Sequence, residues 1–452
     1  MSTIEQHNAE ALAAMRERLP DEVTSVRVTY ADLHGVQRGK DVPVEELHHV
    51  VEKGLAFCWA VMGTDLRHTP VVGGESGYPD MIARIDPDTL VQVPWEPTVA
   101  VCLADLERAL THEPEPTDPR NAVRRAVAAF QEIGLAPVVG PELEFFLLEP
   151  DPTAPAGVRR FVDNLSMVYT VGAQADPRGV VRALLEGCAG LGLGAFAANH
   201  EFMNSQYEIN LRESEALSAA DRAFRLKSAV KDAAAQRGLH ATFMGKPFND
   251  QGGSGFHIHI SLAKDGENAF PDPDAPDGVA DELRWFTGGV LAHASACMAF
   301  LNPTINAYRR ILPDSLAPTH ANWGFDNRTT FVRIPPERGG STRLEIRVGD
   351  GASNPYLGIA AVLFAGLDGV RRRLDPGEPL TGDAYTAPEE RAGAPLPRSL
   401  DEALDALEAD ALVADAIGRE LVDTFTAVKR FELERHRMHV SEWELEEYLH
   451  HL

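Results

Sequence analysis

Three segments of the chain alternate charged or histidine side chains with large apolar ones, a period of two that is typical of β-strands with one buried face. In "GPELEFFLL", Glu142 and Glu144 point to the same side of the predicted strand. His257 and His259 do the same in "GFHIHISL". Adjacent carboxylates repel each other unless a cation or an arginine neutralises them. A divalent metal site is one interpretation of these faces, and an ordinary exposed strand face is the other.

The third segment, "STRLEIRVGDGASNPY", places Arg343, Glu345 and Arg347 on one strand face. Further arginines follow in "NPTINAYRRILP" and "DNRTTFVRIP". Each of them alone is interpreted as a solvated surface residue. Together, in an acidic chain, they indicate a site for phosphates and carboxylates, because guanidinium groups bind both in a bidentate manner. Carboxylates and histidines for metals, with arginines for anions, are what metal-assisted phosphoryl transfer requires.

Length and composition limit the class of protein. The 452 residues suggest two domains or one large elaborated domain, and the net charge of −26 argues against nucleic acid or an anionic membrane as partner. The 4 cysteines (Cys58, Cys102, Cys188 and Cys297) are scattered, which indicates neither a zinc site nor a disulfide framework. The first residues lack the apolar core of a signal peptide, and no apolar run has the roughly eighteen residues of a membrane span. A cytoplasmic protein is therefore expected.

The order of predicted elements suggests a boundary near residue 112. After a first helix, a strand, a turn at His34 and Gly35 and a return strand open a small β-rich unit, which ends at the linker "THEPEPTDPR". Beyond it, "NAVRRAVAAFQEIGL" is predicted to be helical and "APVVGPELEFFLLEP" to be a strand. Helices are predicted at 176–191, at 218–238 and over most of the last 50 residues. "KDGENAFPDPDAPDG" and "LDPGEPLTGDAYTAPEERAGAPLPR" are predicted to be exposed loops.

Six motifs in this order resemble the glutamine synthetase family, class I. They are "GPELEFF", "NHEFMNSQYEIN", "ATFMGKPF" with "GGSGFHIHISL", "NPTINAYRR", "DNRTTFVRIP" and "RLEIRVGDGASNPYLGIAAVLFAGLDG". The resemblance runs from about Val23 to the C-terminus. It implies an α+β fold, with an N-terminal β-grasp domain at 20–108 and a catalytic domain at 113–452 that has a curved antiparallel sheet and surrounding helices. It also implies a homo-oligomer, commonly a dodecamer of two hexameric rings, in which each active site lies between one catalytic domain and a neighbour's N-terminal domain.

The resemblance assigns residues to two metal sites, a glutamate site and a nucleotide site. As ligands of one divalent ion, Mg²⁺ or Mn²⁺, it implies Glu144, Glu201 and Glu208, and as ligands of a second it implies Glu142, His257 and Glu345. For the glutamate site it implies Arg310, Arg347 and the backbone of Gly253. For phosphate and nucleotide contacts of ATP it implies Arg328, Arg333, His259, Ser261 and Arg343. Arg328 and Glu208 are expected to act directly in catalysis. Glu201 and Glu208 can share one ion only if the chain bends near Asn204, since a spacing of seven sends them to opposite faces of a straight strand.

The positions that hold ammonium in the family are changed here. Leu316 in "PDSLAP" stands where the family has a glutamate, and Cys58 in "FCWAVMG" stands where it has an aspartate, unless a shifted loop brings Asp65 there. Gly252 replaces an asparagine. A pocket without these carboxylates loses its attraction for a small hydrated cation, and leucine suits a carbon-bearing amine. We therefore expect a ligase that joins glutamate to an alkylamine, ethanolamine or a polyamine.

Two further features bear on this expectation. Phe57 and Trp59 flank the N-terminal loop and favour an amine with an apolar or short chain. Tyr385 falls near a tyrosine that some members modify, but its sequence context differs, and an exposed loop residue is expected. A glutamine synthetase with a rebuilt ammonium site and a non-catalytic relative are the alternatives.

Overall fold

A mixed sheet forms the N-terminal part of the chain in the computed structural model, which describes residues 3–154, 156–163 and 168–452. Its elements are α1 (Thr3–Arg18), β1 (Ser25–Ala31), β2 (Gln37–Pro43), α2 (Leu47–Lys53), β3 (Leu55–Cys58), β4 (Asp80–Val93) and β5 (Glu96–Arg108). The strand order is β2-β1-β5-β4-β3, with β1 parallel to β5 and the other neighbours antiparallel. The predicted turn is confirmed: Asp32 Oδ1 accepts hydrogen bonds from the backbone N–H groups of His34 and Val36, and Gly35 has φ +73°.

The rest of the chain forms a large, mostly antiparallel sheet with helices around it. Its elements are α3 (Pro119–Gln131), β6 (Ala136–Pro150), β7 (Val158–Arg160), α4 (Val180–Gly190), β8 (Ala195–His200), β9 (Gln206–Leu211), β10 (Ser214–Glu215), α5 (Ala216–Ala235), β11 (His240–Thr242), β12 (Phe256–Lys264), β13 (Glu267–Asn268), α6 (Asp281–Ala292), α7 (Ala294–Leu301), β14 (His320–Ala321), β15 (Trp323–Phe325), β16 (Val332–Ile334), β17 (Leu344–Ile346), α8 (Pro355–Arg372), α9 (Glu389–Ala392), β18 (Ala394–Pro395), α10 (Leu400–Ala409), α11 (Ala411–Ile417), α12 (Arg419–Arg437) and α13 (Glu442–Tyr448). The main strand order is β15-β16-β17-β12-β6-β9-β8. The expected α+β fold with a curved, antiparallel-rich sheet is confirmed.

Strand β6 shows why this sheet has one buried and one functional face. Leu143 and Phe145 are fully buried, and the Phe145 ring lies 5.5 Å from that of Phe243 in the core. Glu142 and Glu144 alternate with them and point to the other face. Burial of the apolar face therefore determines which way the carboxylates point.

Helix α8 lies in the core and is buried over most of its length. It contacts α6 closely where Gly289 meets Gly369: a Cβ atom built on Gly289 would lie 2.6 Å from the backbone nitrogen of Gly369. Only glycine permits this separation at both positions.

The prediction of two exposed loops is wrong in part. Leu380, Ala384 and Leu396 of the second loop are buried, and the backbone N–H of Leu380 donates to the carbonyl of Trp323 at 2.7 Å. Phe270 of the first loop is also buried. Proline and glycine correctly indicated irregular backbone, but the few apolar side chains between them are enough to hold these segments on the core.

The division of the chain at 20–108 and 113–452 remains a prediction. Strand β5 ends at Arg108 and α3 begins at Pro119, on either side of the predicted linker. The buried apolar residues of both parts belong to one continuous cluster. The C-terminal helices α10 to α13 confirm the predicted helical segment. Among the residues described, none of the helices is both long and apolar enough to cross a bilayer.

Candidate active site

Strands β6, β9, β12 and β17 bring the predicted side chains to one face of the large sheet. His257 lies opposite Glu142 across the β12–β6 pair, and Glu144 lies opposite Glu208 across the β6–β9 pair. On the other side of β12, His259 lies opposite Glu345 of β17. The alternation that predicted these faces is thus confirmed, and the strand register places residues from distant segments side by side.

One group of carboxylates is formed by Glu144, Glu201 and Glu208, whose oxygen atoms lie within 4.8 Å of one another. The chain turns between β8 and β9, where the backbone N–H of Glu201 donates to the carbonyl of Gln206 at 2.9 Å. Ser205 has φ +64° in this turn. The predicted bend is therefore present, and it lets Glu201 and Glu208 converge.

Each carboxylate of this group accepts a hydrogen bond from a side-chain amide that the sequence analysis missed. Asn199 donates to Glu201 at 2.6 Å and Asn210 donates to Glu208 at 2.6 Å. Gln206 donates to Glu144 at 2.8 Å and to the carbonyl oxygen of Gly253 at 3.0 Å. The spacing of two residues in "NHE" and "EIN" is the signal that could have indicated the first two pairs.

The second group contains Glu142, His257, His259 and Glu345. His257 Nδ1 lies 3.6 Å from Glu142 Oε2 and 3.7 Å from Glu345 Oε1, so the three residues assigned to the second ion are neighbours. His259, which was expected only at the nucleotide, lies equally close: its Nε2 is 3.1 Å from Glu142 Oε1. Arg343 Nε donates to His259 Nδ1 at 3.2 Å.

The two groups differ in electrostatics. Burial raises the pKa of Glu208 well above its usual value, and repulsion from Glu142, Glu144 and Glu201 raises it further. Burial also raises the pKa of Glu144 and of Glu201. The pKa of Glu345 falls to about 2 although burial opposes this, because Arg347 and the two histidines stabilise its charged form. The first group thus needs further positive charge, whereas the second already has some.

This donor set fits divalent metal ions. Carboxylate oxygens, with the imidazoles of His257 and His259 in the second group, are ligands that suit Mg²⁺ and Mn²⁺. The repulsion within the Glu144, Glu201 and Glu208 group is what a bound cation would offset.

Buried arginines lie beside the second group. Arg347 Nη1 donates to Glu345 Oε1 at 2.5 Å, and Arg333 Nη1 donates to Glu345 Oε2 at 2.7 Å. Arg333 also contacts Asp326, with 2.7 Å between Nη2 and Oδ1. Arg328 is exposed. Its side chain has no hydrogen bond or ion pair with any residue that the structure describes, and its charge favours the ionised form of Glu201.

Arg310 is buried, and backbone carbonyl groups hold its guanidinium group. Its Nε donates to Ser254 at 3.1 Å and its Nη2 donates to Val348 at 3.1 Å and also to Gly349. Gly253 lies against it: a Cβ atom built there would be 2.5 Å from Arg310 Cδ. The residues assigned to the glutamate carboxylate therefore lie together, with the Arg310 side chain oriented by the loop that contains Gly253.

A cavity of about 230 Å³ adjoins the second group, whose Glu142 and His259 line it. Three of the five residues assigned to ATP line it: His259, Ser261 and Arg343. Phe196 and Glu213 also line it and were not anticipated.

Comparisons with known proteins identify the family. Residues 116–448 match the family model described as "Glutamine synthetase, catalytic domain". The chain belongs to the glutamine synthetase family. It is 33% identical to a glutamine synthetase of Pyrococcus horikoshii over 94% of this chain and 95% of that protein. It is 34% identical to a glutamine synthetase of Thermotoga maritima over 95% of this chain and 97% of that protein.

Solved structures extend the similarity to the fold. A GmaS–ADP complex is 33% identical, with a TM-score of 0.86 over 97% of this chain and 99% of that one. GmaS without ligand is 34% identical, with a TM-score of 0.84 over 97% of this chain and 99% of that one. As a glutamine synthetase-family member, this chain is an ATP-dependent glutamate ligase that forms a carbon–nitrogen bond, and the family uses ATP with divalent metal ions.

Of the three positions predicted to depart from the family, Leu316 and Cys58 lie in different parts of the fold. Leu316 follows Arg310 in a loop, and 42% of its surface is exposed. Cys58 ends β3 in the N-terminal sheet, where its Sγ donates to the carbonyl oxygen of Tyr78 at 3.7 Å. Asp65 is fully buried, pairs with Arg435 and accepts from the backbone N–H groups of residues 67 and 69. The Asp65 carboxylate is thus engaged by other groups of this chain, and the shifted-loop alternative stays a prediction.

The other neighbours of these positions are apolar or engaged elsewhere. A Cβ atom built on Gly252 would lie 2.9 Å from Met203 Cε, so a methionine occupies the space beside it. Phe57 packs edge-on against Tyr30 at 4.9 Å, and Trp59 Nε1 donates to Glu115 at 3.2 Å.

Tyr385 was expected to be an exposed loop residue, and the structure places it differently. It is half-buried, and its hydroxyl donates to the carbonyl of Ala317 at 3.0 Å. Burial and the nearby Asp383 raise its pKa, while Arg347 lowers it. The prediction is wrong because the loop of Tyr385 folds onto the loop that carries Leu316.

Proposed function

We propose that this family member ligates the γ-carboxylate of glutamate to a primary amine, an alkylamine, ethanolamine or a polyamine, and consumes ATP. The observation that carries the proposal is Leu316. It ends the loop that returns to Arg310, where Ser315 Oγ donates to the Arg310 carbonyl at 2.9 Å. At this place the family has a carboxylate that attracts ammonium, and this chain has a branched apolar side chain.

The proposed reaction has two steps. A γ-carboxylate oxygen of glutamate attacks the γ-phosphorus of ATP, ADP leaves, and γ-glutamyl phosphate forms. The amine nitrogen then attacks the acyl carbon, phosphate leaves, and the nitrogen loses a proton. Metal ions bound at the site would neutralise phosphate charge and hold the γ-phosphoryl group in line for transfer.

The residues of this chain bind and orient the reactants. We propose that Glu144, Glu201 and Glu208 hold one ion, that Glu142, His257 and Glu345 hold the second, and that Glu208 is needed for catalysis for this reason. Arg310 and Arg347, with the backbone of Gly253, would bind glutamate. Arg328 and Arg333 would contact the phosphates, and Arg328 suits this role because its guanidinium group is exposed. His259, Ser261 and Arg343 line the cavity that we assign to the nucleotide.

Apolar groups near the glutamate site favour an amine that carries carbon. Leu316 is partly exposed, and Met203 contacts the position of Gly252. Each methylene group buried against such surface contributes about 0.8 kcal/mol, a gain that ammonium cannot make. The similarity to GmaS, gamma-glutamylmethylamide synthetase, supports the same substrate class.

Glutamine synthesis from ammonia is the second candidate, and Asp314 favours it. This carboxylate lies two residues before Leu316 in the same loop, close enough to Tyr385 to raise its pKa, although burial of Tyr385 is the larger cause. The Asp314 carboxylate, shifted by two residues along the loop, would replace part of the negative charge that is lost with leucine at position 316. The names of the curated relatives agree with this alternative. A non-catalytic relative is disfavoured, because all six residues assigned to metals are present and lie together.

The same proposal includes assembly. In a dodecamer of two hexameric rings, Cys58 of one chain would complete the amine pocket of its neighbour and so lie near Leu316 there. The catalytic part would span 113–452 and the N-terminal part 20–108. We expect the enzyme to work in the cytoplasm, without nucleic acid or a membrane.

A panel of nucleophiles tests the proposal. Purified protein is incubated with ATP, Mg²⁺, glutamate and one of ammonium, methylamine, ethanolamine, isopropylamine, putrescine or spermine, and products are identified by mass spectrometry. We expect kcat/KM to be higher for at least one amine than for ammonium. Turnover with ammonium alone would refute amine ligation and support glutamine synthesis. Absence of turnover with every nucleophile, despite bound metal, would support the non-catalytic alternative.

A further inference from the structure

The loop that carries Leu316 has an unusual backbone. Asp314 has φ +62° and Leu316 has φ +58°, which places two residues with side chains in the left-handed region within three positions. Residues other than glycine seldom adopt this conformation, and they keep it only where their surroundings hold it. Such outliers are frequent at ligand sites, so the contacts that hold this loop are informative.

One contact comes from the loop itself. Ser315 Oγ lies 2.9 Å from the carbonyl oxygen of Arg310 and 2.5 Å from that of Leu312, so its proton can be donated to either. This closes the loop on the residue assigned to the glutamate carboxylate. The chain beyond Leu316 is held by another segment.

The other contact comes from Tyr385, 68 residues further along the chain. Its hydroxyl donates to the carbonyl of Ala317, whose side chain is buried. The bond therefore holds the peptide group between residues 317 and 318, one peptide beyond Leu316, and so restrains the chain on the C-terminal side of the left-handed residue.

Tyr385 is itself fixed to the turn that bears Arg328. The backbone N–H of Ala384 donates to Thr329 Oγ1 at 2.9 Å, and Asn327 Nδ2 donates to the carbonyl of Gly382 at 2.8 Å. Arg328 lies between the two anchoring residues. One tyrosine thus joins the loop of Leu316 to the turn that presents a phosphate-facing arginine.

We propose that Tyr385 is a positioning residue for amine selection, which acts by holding Leu316 in its left-handed conformation beside the glutamate site. The inference rests on the proposed amine ligase function. In this arrangement the leucine side chain forms a wall of the amine pocket. Without the hydroxyl the loop relaxes, the wall opens to water, and the advantage of carbon-bearing amines over ammonium decreases.

The variant Tyr385→Phe tests this, because it keeps the ring and removes only the hydroxyl. The readout is the ratio of kcat/KM for each amine of the panel to kcat/KM for ammonium. We expect the ratio for the preferred amine to fall about fivefold to tenfold, the effect of losing one ordinary hydrogen bond. Acyl phosphate formation is measured separately, without amine, as the glutamate-dependent exchange of the bridging oxygen of ATP. Its rate should change less than about twofold, because the lost hydrogen bond does not contact ATP or glutamate. Tyr448→Phe is the matched control, since Tyr448 is 45% exposed in α13 and its ring lies at 84° to that of Trp443, with 5.6 Å between the ring centroids.

A double variant establishes whether Tyr385 acts through Leu316. Leu316→Gly removes the side chain and adopts the left-handed backbone without strain. If Tyr385 acts through Leu316, adding Tyr385→Phe to Leu316→Gly leaves the amine-to-ammonium ratio unchanged, whereas independent effects multiply. Independent effects, or an unchanged ratio in Tyr385→Phe alone, would overturn the inference while the wild-type enzyme still uses amines. A wild-type enzyme that uses only ammonium would instead overturn the proposed function, and this inference with it.

Discussion

Replacing Leu316 by glutamate should restore a preference for ammonium. The variant Leu316→Glu puts a carboxylate where the family has one, and glutamate is unbranched at Cβ like leucine, so the left-handed backbone at φ +58° is no more strained than before. The perturbation therefore changes charge at nearly constant shape.

The magnitude follows from Coulomb attraction. Two unit charges about 4 Å apart attract by about 4 kcal/mol at an effective dielectric constant of about 20, and by about 1 kcal/mol in bulk water. Leu316 is 42% exposed, so solvent screens part of the interaction, and a value near 2 kcal/mol is appropriate. This corresponds to a roughly 30-fold rise in kcat/KM for ammonium relative to the preferred amine.

The assay is a competition between ammonium and the preferred amine at fixed ATP, Mg²⁺ and glutamate, with both products quantified by mass spectrometry. Leu316→Gln is the matched control, because it has the same length without the charge. The shift in Leu316→Glu should also shrink as salt is added, since exposed charges are screened. Equal shifts in the glutamate and glutamine variants would refute an electrostatic role for this position.

Further perturbations address the rest of the chain. Glu208→Gln should lower the rate by orders of magnitude without changing assembly, and near-normal activity with intact rings by light scattering would contradict its role at the metal. Gln206→Leu should weaken metal affinity about tenfold by calorimetry and raise the KM for glutamate, because the amide joins Glu144 to the carbonyl of Gly253; a change in neither value would exclude that role. Burial lowers the pKa of Lys227 to about 7. Between this pKa and that of the unfolded chain, about 10.4, only the unfolded chain binds the proton, so wild-type stability relative to Lys227→Met should rise with pH by up to about 1.4 kcal/mol per unit. Melting temperatures from pH 7 to 10 measure this difference, and parallel curves would contradict it.

Sequence patterns predicted the functional face of the sheet because the signal is local. Alternation of Glu142 and Glu144 with Leu143 and Phe145 defines which side chains share a face, and β6 (Ala136–Pro150) has the predicted bounds. The short strand β17 (Leu344–Ile346) was also indicated by its alternation, although it is too short to include Arg343 and Arg347.

Contacts between distant residues were not predictable in this way. The amide of Gln206 bonds Glu144 and Gly253, and His259 approaches Glu142 across a strand pair. Such contacts depend on the register of β6, β9 and β12, and register is set by how the whole apolar face packs.

The sequence by itself determined the family, the fold class and the chemistry of the site, because motif order and strand alternation are properties of neighbouring residues. Only the tertiary structure decided which groups were available. It engaged Asp65 with Arg435, and it buried Tyr385 against the loop of Leu316. The physical reason is that a side chain can bind a substrate only if no other group of the protein already binds it. Here the groups that bind Asp65 and Tyr385 lie 370 and 68 residues away along the chain.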